Sequence, residues 1–452
     1  MQKKLLSGLF WLLLANLLVK PLWILGIEVG VQNAVGNEAY GFYFAVFNLS
    51  YILNILLDLG VTNFNTRNIA QHPQLITKHL SGILGIKLCL LALYMVVTFS
   101  VGALLGYGSQ EFRLLGLLTL CQFLNSLILY LRSNFEGLLL FKWDSLFSVL
   151  DRVLMIVICG CLLWGPRLAV FSFQFSIFNF VYAQLAAYGL TALLALVVIG
   201  RKTHLRRLRF DRRFLLVILK KSAPFALLVL LMASYNRIDP ILLRRLAGDA
   251  DAGVYAGAFR LLDALTMVCY LVSVPLLPVF SKILGKEESE RKRQGLQPTT
   301  SDLQDSLRLV FWPLMLFTVG AAVSCSLLAE PLMRILYHGN YAPYVPVFRV
   351  VIFGLIPIGL TYIFGTLLTA GGRLRQLNLL AAVTLVLNVV VNLVMIPRLG
   401  AVGSAWASLS AQSFMALTQL VLAVRLFHLP PAAFRPPLPS DIKAALHLFL
   451  GR

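Results

Sequence analysis

The sequence predicts an all-α membrane protein of about twelve transmembrane helices in two six-helix bundles, and three observations predict it. Of 452 residues, 59% are hydrophobic and 13% charged, with a mean hydropathy of +0.82. That composition leaves too little polar surface to cover a core in water. Apolar runs of roughly 18 to 28 residues recur along the chain, each long enough as a helix to cross a hydrocarbon core of about 30 Å. Lys and Arg also concentrate in alternate loops, as the positive-inside bias requires.

The predicted spans are 5–30, 40–60, 77–107, 113–138, 145–165, 170–200, 222–244, 253–281, 307–329, 345–370, 376–397 and 401–427. The first follows Lys3 and Lys4, as a secretion signal would. Its apolar run continues past Lys20 and Pro21 with no small-residue cleavage site, so it is read as helix one. Spans 77–107 and 170–200 are long enough to tilt or protrude. The domains follow: an N-terminal bundle over 1–200, a basic linker over 201–221, a C-terminal bundle over 222–427 and a tail over 428–452. Segment 282–306 reads as a flexible inner linker, Glu330 to Tyr344 as the largest outer loop, and Asp441 to Leu446 as a short interfacial helix.

The net charge of +20 points to nucleic acid only until the charges are placed. With both termini cytoplasmic, about 26 of the 39 Lys and Arg fall in inner segments, about 6 in outer segments and about 7 within spans. The densest cluster, Arg201 to Arg213, sits where a topogenic loop must be and is suited to anionic membrane lipids. No nucleic-acid partner is expected. The six cysteines lie in predicted spans without metal-ligand spacing, so neither a metal nor a disulfide is implied. There is no phosphate-cradling glycine loop and no nucleophile, histidine and acid in a shared loop. The chain therefore reads as a transporter rather than an enzyme, with no cofactor.

The halves carry a repeat. Gly36, Gly41, Tyr43, Phe47 and Leu49 match Gly248, Gly253, Tyr255, Phe259 and Leu261 at one constant offset, without a gap. Both copies precede the second helix of their half on the outer side, so the halves share orientation.

Ionisable residues within spans are costly unless they face a cavity or each other. They are Lys20, Glu28, Asp58, Lys87, Asp151, Arg152, Arg237, Asp239, Arg260, Asp263 and Arg349. Some have structural readings: Asp58 with Arg67, Arg260 with Asp263 three residues on, and Glu28 and Arg349 at span ends. Counted at about 1.5 Å per residue, Lys20, Arg237 and Arg260 all fall in the outer half of the membrane, a candidate anion site. Asp239 and Asp263 are candidates for ion coupling or for counter-ions to those cations. Asn388 and Asn392, four apart, suit sugar hydroxyls or helix contacts equally.

The stretch from Gly36 to Tyr43 leads to Leu57-Asp58-Leu59-Gly60 and Arg67, and Asp239-Pro240-Ile241-Leu242-Leu243 precedes Gly253-Val254-Tyr255. Gly339-Asn340-Tyr341, Ala370-Gly371-Gly372 and the run from Ile396 to Gly403 follow in order. In these motifs the chain resembles the oligosaccharide flippase (Wzx-type) branch of the multidrug/oligosaccharidyl-lipid/polysaccharide (MOP) exporter superfamily. The resemblance implies two bundles rocking around a central cavity in the bacterial plasma membrane. It implies a lipid-linked anionic oligosaccharide as cargo, moved from the inner to the outer leaflet, and other polysaccharide-assembly proteins as partners. Multidrug exchange is the alternative within the superfamily. A polymerase or ligase would need a large outer catalytic loop, which the sequence lacks.

Overall fold

A computed structural model describes residues 19, 21–62, 65, 66, 69, 74, 76–138, 140–165, 175–201, 212–273, 275–294 and 301–436. Side chains at 77–79, 81, 141, 212–224, 286–294, 301, 302 and 432 lie outside that description. The described residues are helical almost throughout. A π-helical turn, Leu22–Glu28, runs into α1 (Val29–Leu53), followed by α2 (Ile76–Leu104), α3 (Ser109–Gly137), α4 (Phe141–Phe147), α5 (Leu150–Trp164) and α6 (Ile177–Gly200). Then come α7 (Arg212–Arg237), α8 (Asp239–Ala247), α9 (Asp249–Ser273), α10 (Leu276–Gln294) and α11 (Ser301–Leu327). The remainder is α12 (Ala329–Leu336), α13 (Tyr344–Val351), α14 (Leu355–Ala370) and α15 (Leu374–Leu426).

Among the described residues, ten helical segments are long and apolar enough to cross a membrane. Leu374–Leu426 holds two predicted spans, because the backbone leaves the helix at Gly400 (φ 54°), and Leu22–Leu57, which leaves it at Gly36 (φ 82°), holds most of the second span and the end of the first, whose residues before Leu22 lie almost wholly outside the described ones. With the break at Gly400 counted, the ten segments account for the predicted spans from the second to the twelfth. Large apolar side chains such as Val96, Leu193, Leu316, Leu379 and Val386 are exposed, as lipid-facing surface requires. The predicted outer loop from Glu330 to Tyr344 contains most of the short helix α12, which buries Met333 and exposes Ile335.

By packing, the chain divides into two compact units, Met1–Ala256 and Gly257–Arg452. The predicted division at 201–221 is one of the sequence repeat; the boundary at Ala256 is one of packing. In the first unit Leu80, Ile83, Ile86 and Leu90 of α2 pack with Tyr130, Leu131 and Phe135 of α3 and with Ala195 and Ile199 of α6.

The first copy of the repeat motif and the second as far as Tyr255 lie in this unit, and their equivalent atoms do equivalent things. Gly36 and Gly248 share one backbone conformation (φ 82°, ψ 171° and φ 98°, ψ 176°), which a side chain would strain. Gln32 donates to Asn37 Oδ1 at 3.0 Å, and Arg244, its equivalent, donates to Asp249 Oδ1 at 2.5 Å. The contact between copies is reciprocal: a Cβ at Gly41 would land on the Asp249 carbonyl, and one at Gly253 on the Asn37 carbonyl. Glycine is present at both because two backbones meet there.

In the second unit α14 and α15 pack through polar side chains set against glycines. Gln412 lies against Gly354 and Gln419 against Gly365. The turn Pro431–Phe434 docks on α11, where Trp312 Nε1 donates to the Phe434 carbonyl at 3.0 Å and the Phe311 ring stands edge-on to Phe434.

Candidate functional site

The predicted seventh span is broken at Ile238. Pro240 has no N–H to return to the carbonyl four residues back, so the helix cannot run through unchanged. Instead the Ile238 N–H closes α7 on the Ser234 carbonyl (2.9 Å), and the Ile238 carbonyl accepts from Ile241 (3.0 Å) and Leu242 (3.1 Å) to open α8. Arg237 occupies the last turn of α7 and Asp239 the first turn of α8. Each charge thus sits at the helix end whose dipole favours it. The Arg237 guanidinium is half-buried, 5.6 Å from the centroid of the Tyr51 ring. Asp239 is fully buried and accepts from the Tyr255 hydroxyl at 3.2 Å.

A second polar cluster of the first unit centres on Arg152, in the first turn of α5. Its Nε lies 3.6 Å from Asp151, and its guanidinium stands 5.6 Å from the Trp23 ring and 5.9 Å from the Tyr188 ring. Trp23 donates through Nε1 to Glu28 at 2.9 Å and stacks on Phe180 at 5.9 Å. Tyr43 meets Phe180 edge-on, and its hydroxyl accepts from Gln184 Nε2 at 3.0 Å. Glu28, predicted as a span-end charge, is therefore tied to an aromatic wall. The cluster presents two carboxylates and a guanidinium beside ring faces, which suits hydrogen bonding to a polar ligand and offers no activated nucleophile.

In the second unit Arg260 is 4% exposed, and its Nη1 donates to the Tyr337 hydroxyl at 3.0 Å. That hydroxyl donates in turn to the Gly257 carbonyl at 3.0 Å, and the Tyr337 ring stacks on Tyr344 at 4.1 Å. Gly257 is required here, because a Cβ would enter the Tyr344 ring and crowd the Tyr337 hydroxyl. Asp263 is half-buried on the same helix and its carbonyl accepts from Thr266 at 2.8 Å. Asn388 and Asn392 are fully buried; Asn392 donates to the Asn388 carbonyl at 2.9 Å and accepts from Ser404 at 3.2 Å. Of their two predicted readings, this is the helix contact.

Of the predicted site residues, Arg237 and Asp239 flank one helix break in the first unit, and Arg260 and Asp263 share α9 in the second. Lys20 lies outside the described residues, as do Arg67 and most of the basic cluster. Asp58 pairs with Lys87 at 2.8 Å, a partner the sequence reading did not assign it. Among the described residues no group of three or more His, Cys, Asp or Glu converges as a metal site would.

The fold recurs in solved structures. An inward-facing multidrug resistance MATE family transporter of the MOP superfamily matches with a TM-score of 0.65 and 15% identity, over 92% of this chain and 94% of that one. The lipid II flippase MurJ in an inward closed conformation matches at 0.66 and 14%, over 98% and 90%. A MOP superfamily transporter from Pyrococcus furiosus, whose binding pocket has reverse polarity, matches at 0.64 and 16%, over 93% and 95%. No curated protein sequence matches the chain. Residues 5–284, more than half of this chain, match the polysaccharide biosynthesis protein family, so this multi-pass membrane protein with the MOP transporter fold belongs to that family.

Proposed function

We propose that the protein is a flippase that carries lipid-linked, pyrophosphate-bearing oligosaccharide units from the inner to the outer leaflet of a bacterial plasma membrane by alternating access. Its two six-helix bundles, 1–200 and 222–427, are the moving bodies. Family membership supports a role in polysaccharide assembly. The observation that carries the reading is Arg237, a guanidinium held in the last turn of a helix broken by Pro240. Interrupted membrane helices place charge and unpaired backbone at substrate depth. A guanidinium offers paired donors to a phosphate crossing the bilayer, replacing lost hydration. Lys20 and Arg260 are further cations for the anionic cargo; Arg260 joins in a state in which its bond to Tyr337 has opened. Asp239 and Asp263 are the proposed coupling carboxylates. Drug-cation exchange would draw on Glu28 and Asp151, but Arg152 stands between ring faces beside them and opposes a cation.

Replacing Arg237 by Ala is expected to leave membrane abundance nearly normal while delivery of surface polysaccharide is abolished. Replacement by Lys should rescue partly, by restoring charge without the fork. Normal delivery in Arg237→Ala would overturn the assignment.

A further inference from the structure

Arg244, in the last turn of α8, holds two carboxylates at once. Its Nη2 donates to Glu111 Oε1 at 2.8 Å and its Nε to Asp249 Oδ1 at 2.5 Å. Its guanidinium stands 4.8 Å from the Phe42 ring centroid and 5.8 Å from that of Tyr107. Glu111 is set for this independently, because its other oxygen accepts from the Gly108 N–H at 3.1 Å and so caps α3. These groups bear on the meeting point of the two repeat copies. Gly41 rests against the Asp249 carbonyl and Gly253 against the Asn37 carbonyl, while Gln32 Nε2 donates to the Gly253 carbonyl at 2.8 Å. The equivalent positions differ in one respect: Gln32 is neutral and Arg244 charged. The second copy thus reaches beyond the motif to Glu111 and Phe42, which belong to the first half of the chain.

We propose that Arg244 is the bolt of a latch at this end of the first unit: braced by Asp249 of its own copy and bonded to Glu111 of α3, it holds the second repeat copy against the first half of the chain and must release Glu111 once per transport cycle. The side chains of Arg244 and Glu111 keep 16% and 22% exposure, so water takes over the bond between them as it breaks. Glycine-to-carbonyl contact has no interlocked side chains, so the two backbones separate and meet again without any rotamer change. The latch rests on the alternating-access reading, but its test involves no cargo, so either can fail alone.

Spin labels at Glu38→Cys and Ala250→Cys, equivalent and exposed positions, report the separation of the copies by pulsed electron paramagnetic resonance in a transport-competent cysteine-free background. The parent should give mainly a short distance. Arg244→Gln and Glu111→Gln should each raise the ratio of long to short distances roughly tenfold, the scale of one charge-assisted bond. Adding Glu111→Gln to Arg244→Gln should change little more, since the bond is already gone. Gly41→Ala, which puts a methyl on the Asp249 carbonyl, should push the same way. Gln at 111 keeps the cap on Gly108, so Glu111→Gln decides the matter even if Arg244→Gln fails to accumulate. Parental distances in Glu111→Gln would overturn the latch.

Discussion

The two ends of α1 are held by different kinds of bond. At the Gly36 end the contacts join the second repeat copy to the first half of the chain, through one part-exposed ion pair and bare backbone. About 30 Å away, near Leu57, they are more deeply buried and stay within the first half of the chain. There Lys87, 1% exposed, spends its three donors on Asp58 Oδ1 (2.8 Å), the Leu57 carbonyl (2.9 Å) and Ser126 Oγ (2.8 Å). Asn65 donates to Ser133 at 2.8 Å and Asn134 at 3.0 Å, and Arg132 to Asp144 at 2.8 Å. The Lys87 ammonium, 1% exposed, cannot let go without stranding its charge, whereas the Arg244 guanidinium, 16% exposed, exchanges one partner for water. One end is built to stay shut and the other to open.

The largest effect that sharpens this contrast is expected at Lys87. Lys87→Met removes the cationic partner of Asp58 and leaves that carboxylate without its counter-charge. Breaking a buried pair from one side costs about 3–5 kcal/mol, so the variant should lose thermal stability in detergent and accumulate poorly. Asp58→Asn added to it should restore much of the loss, because no charge is then stranded. Normal stability in Lys87→Met would mean that this end is not a staple.

How much of this was legible in the sequence follows from chain separation. The twelve spans and the repeat could be read because hydropathy and a constant offset are local properties, and Gly36 and Gly248 indeed share one conformation. Arg237 and Asp239 could be singled out because ionisable residues inside an apolar span are costly; the helix break at Ile238 between them was not read. The partners were not legible. Asp58 was given to Arg67, nearby in sequence, whereas the fold gives it Lys87 from the next helix. Arg244 stands at a span end and draws no notice until folding brings Glu111 to it across 133 residues. Its equivalence to Gln32 was the one available signal. Asn388 and Asn392 kept two readings because a shared helical face does not say what it faces; Ser404 supplies the answer.

A smaller effect separates two glycines. A Cβ at Gly137 would come within 2.8 Å of Ile69, side chain against side chain at the stapled end. Gly137→Ala should destabilise by about 1–3 kcal/mol, the usual cost of overpacking, while leaving the spin-label separation between positions 38 and 250 as in the parent. Gly41→Ala should do the reverse and lengthen that separation. If Gly137→Ala also lengthens it, the two ends are mechanically coupled and the contrast is weaker than stated.

The smallest expected effect is the closest comparison, because it sets two arginines of equal exposure against each other. The side chains of Arg132 and Arg244 are each 16% exposed, and each gives a 2.8 Å bond to a carboxylate near the start of a helix, Asp144 in α4 and Glu111 in α3. Only what they join differs: Arg132 ties α3 to α4 within the first half, whereas Arg244 ties α3 to the second repeat copy. Asp144→Asn should therefore cost about 1 kcal/mol or less of stability, as part-exposed pairs do, with the separation at 38 and 250 unchanged. Glu111→Gln should cost a similar amount, yet appear mainly as a longer separation, because its bond is already lost when the copies part, before the chain unfolds. Measured side by side in one labelled background, equal lengthening in both variants would show that any lost arginine pair loosens this unit, and that Arg244 holds no privileged place.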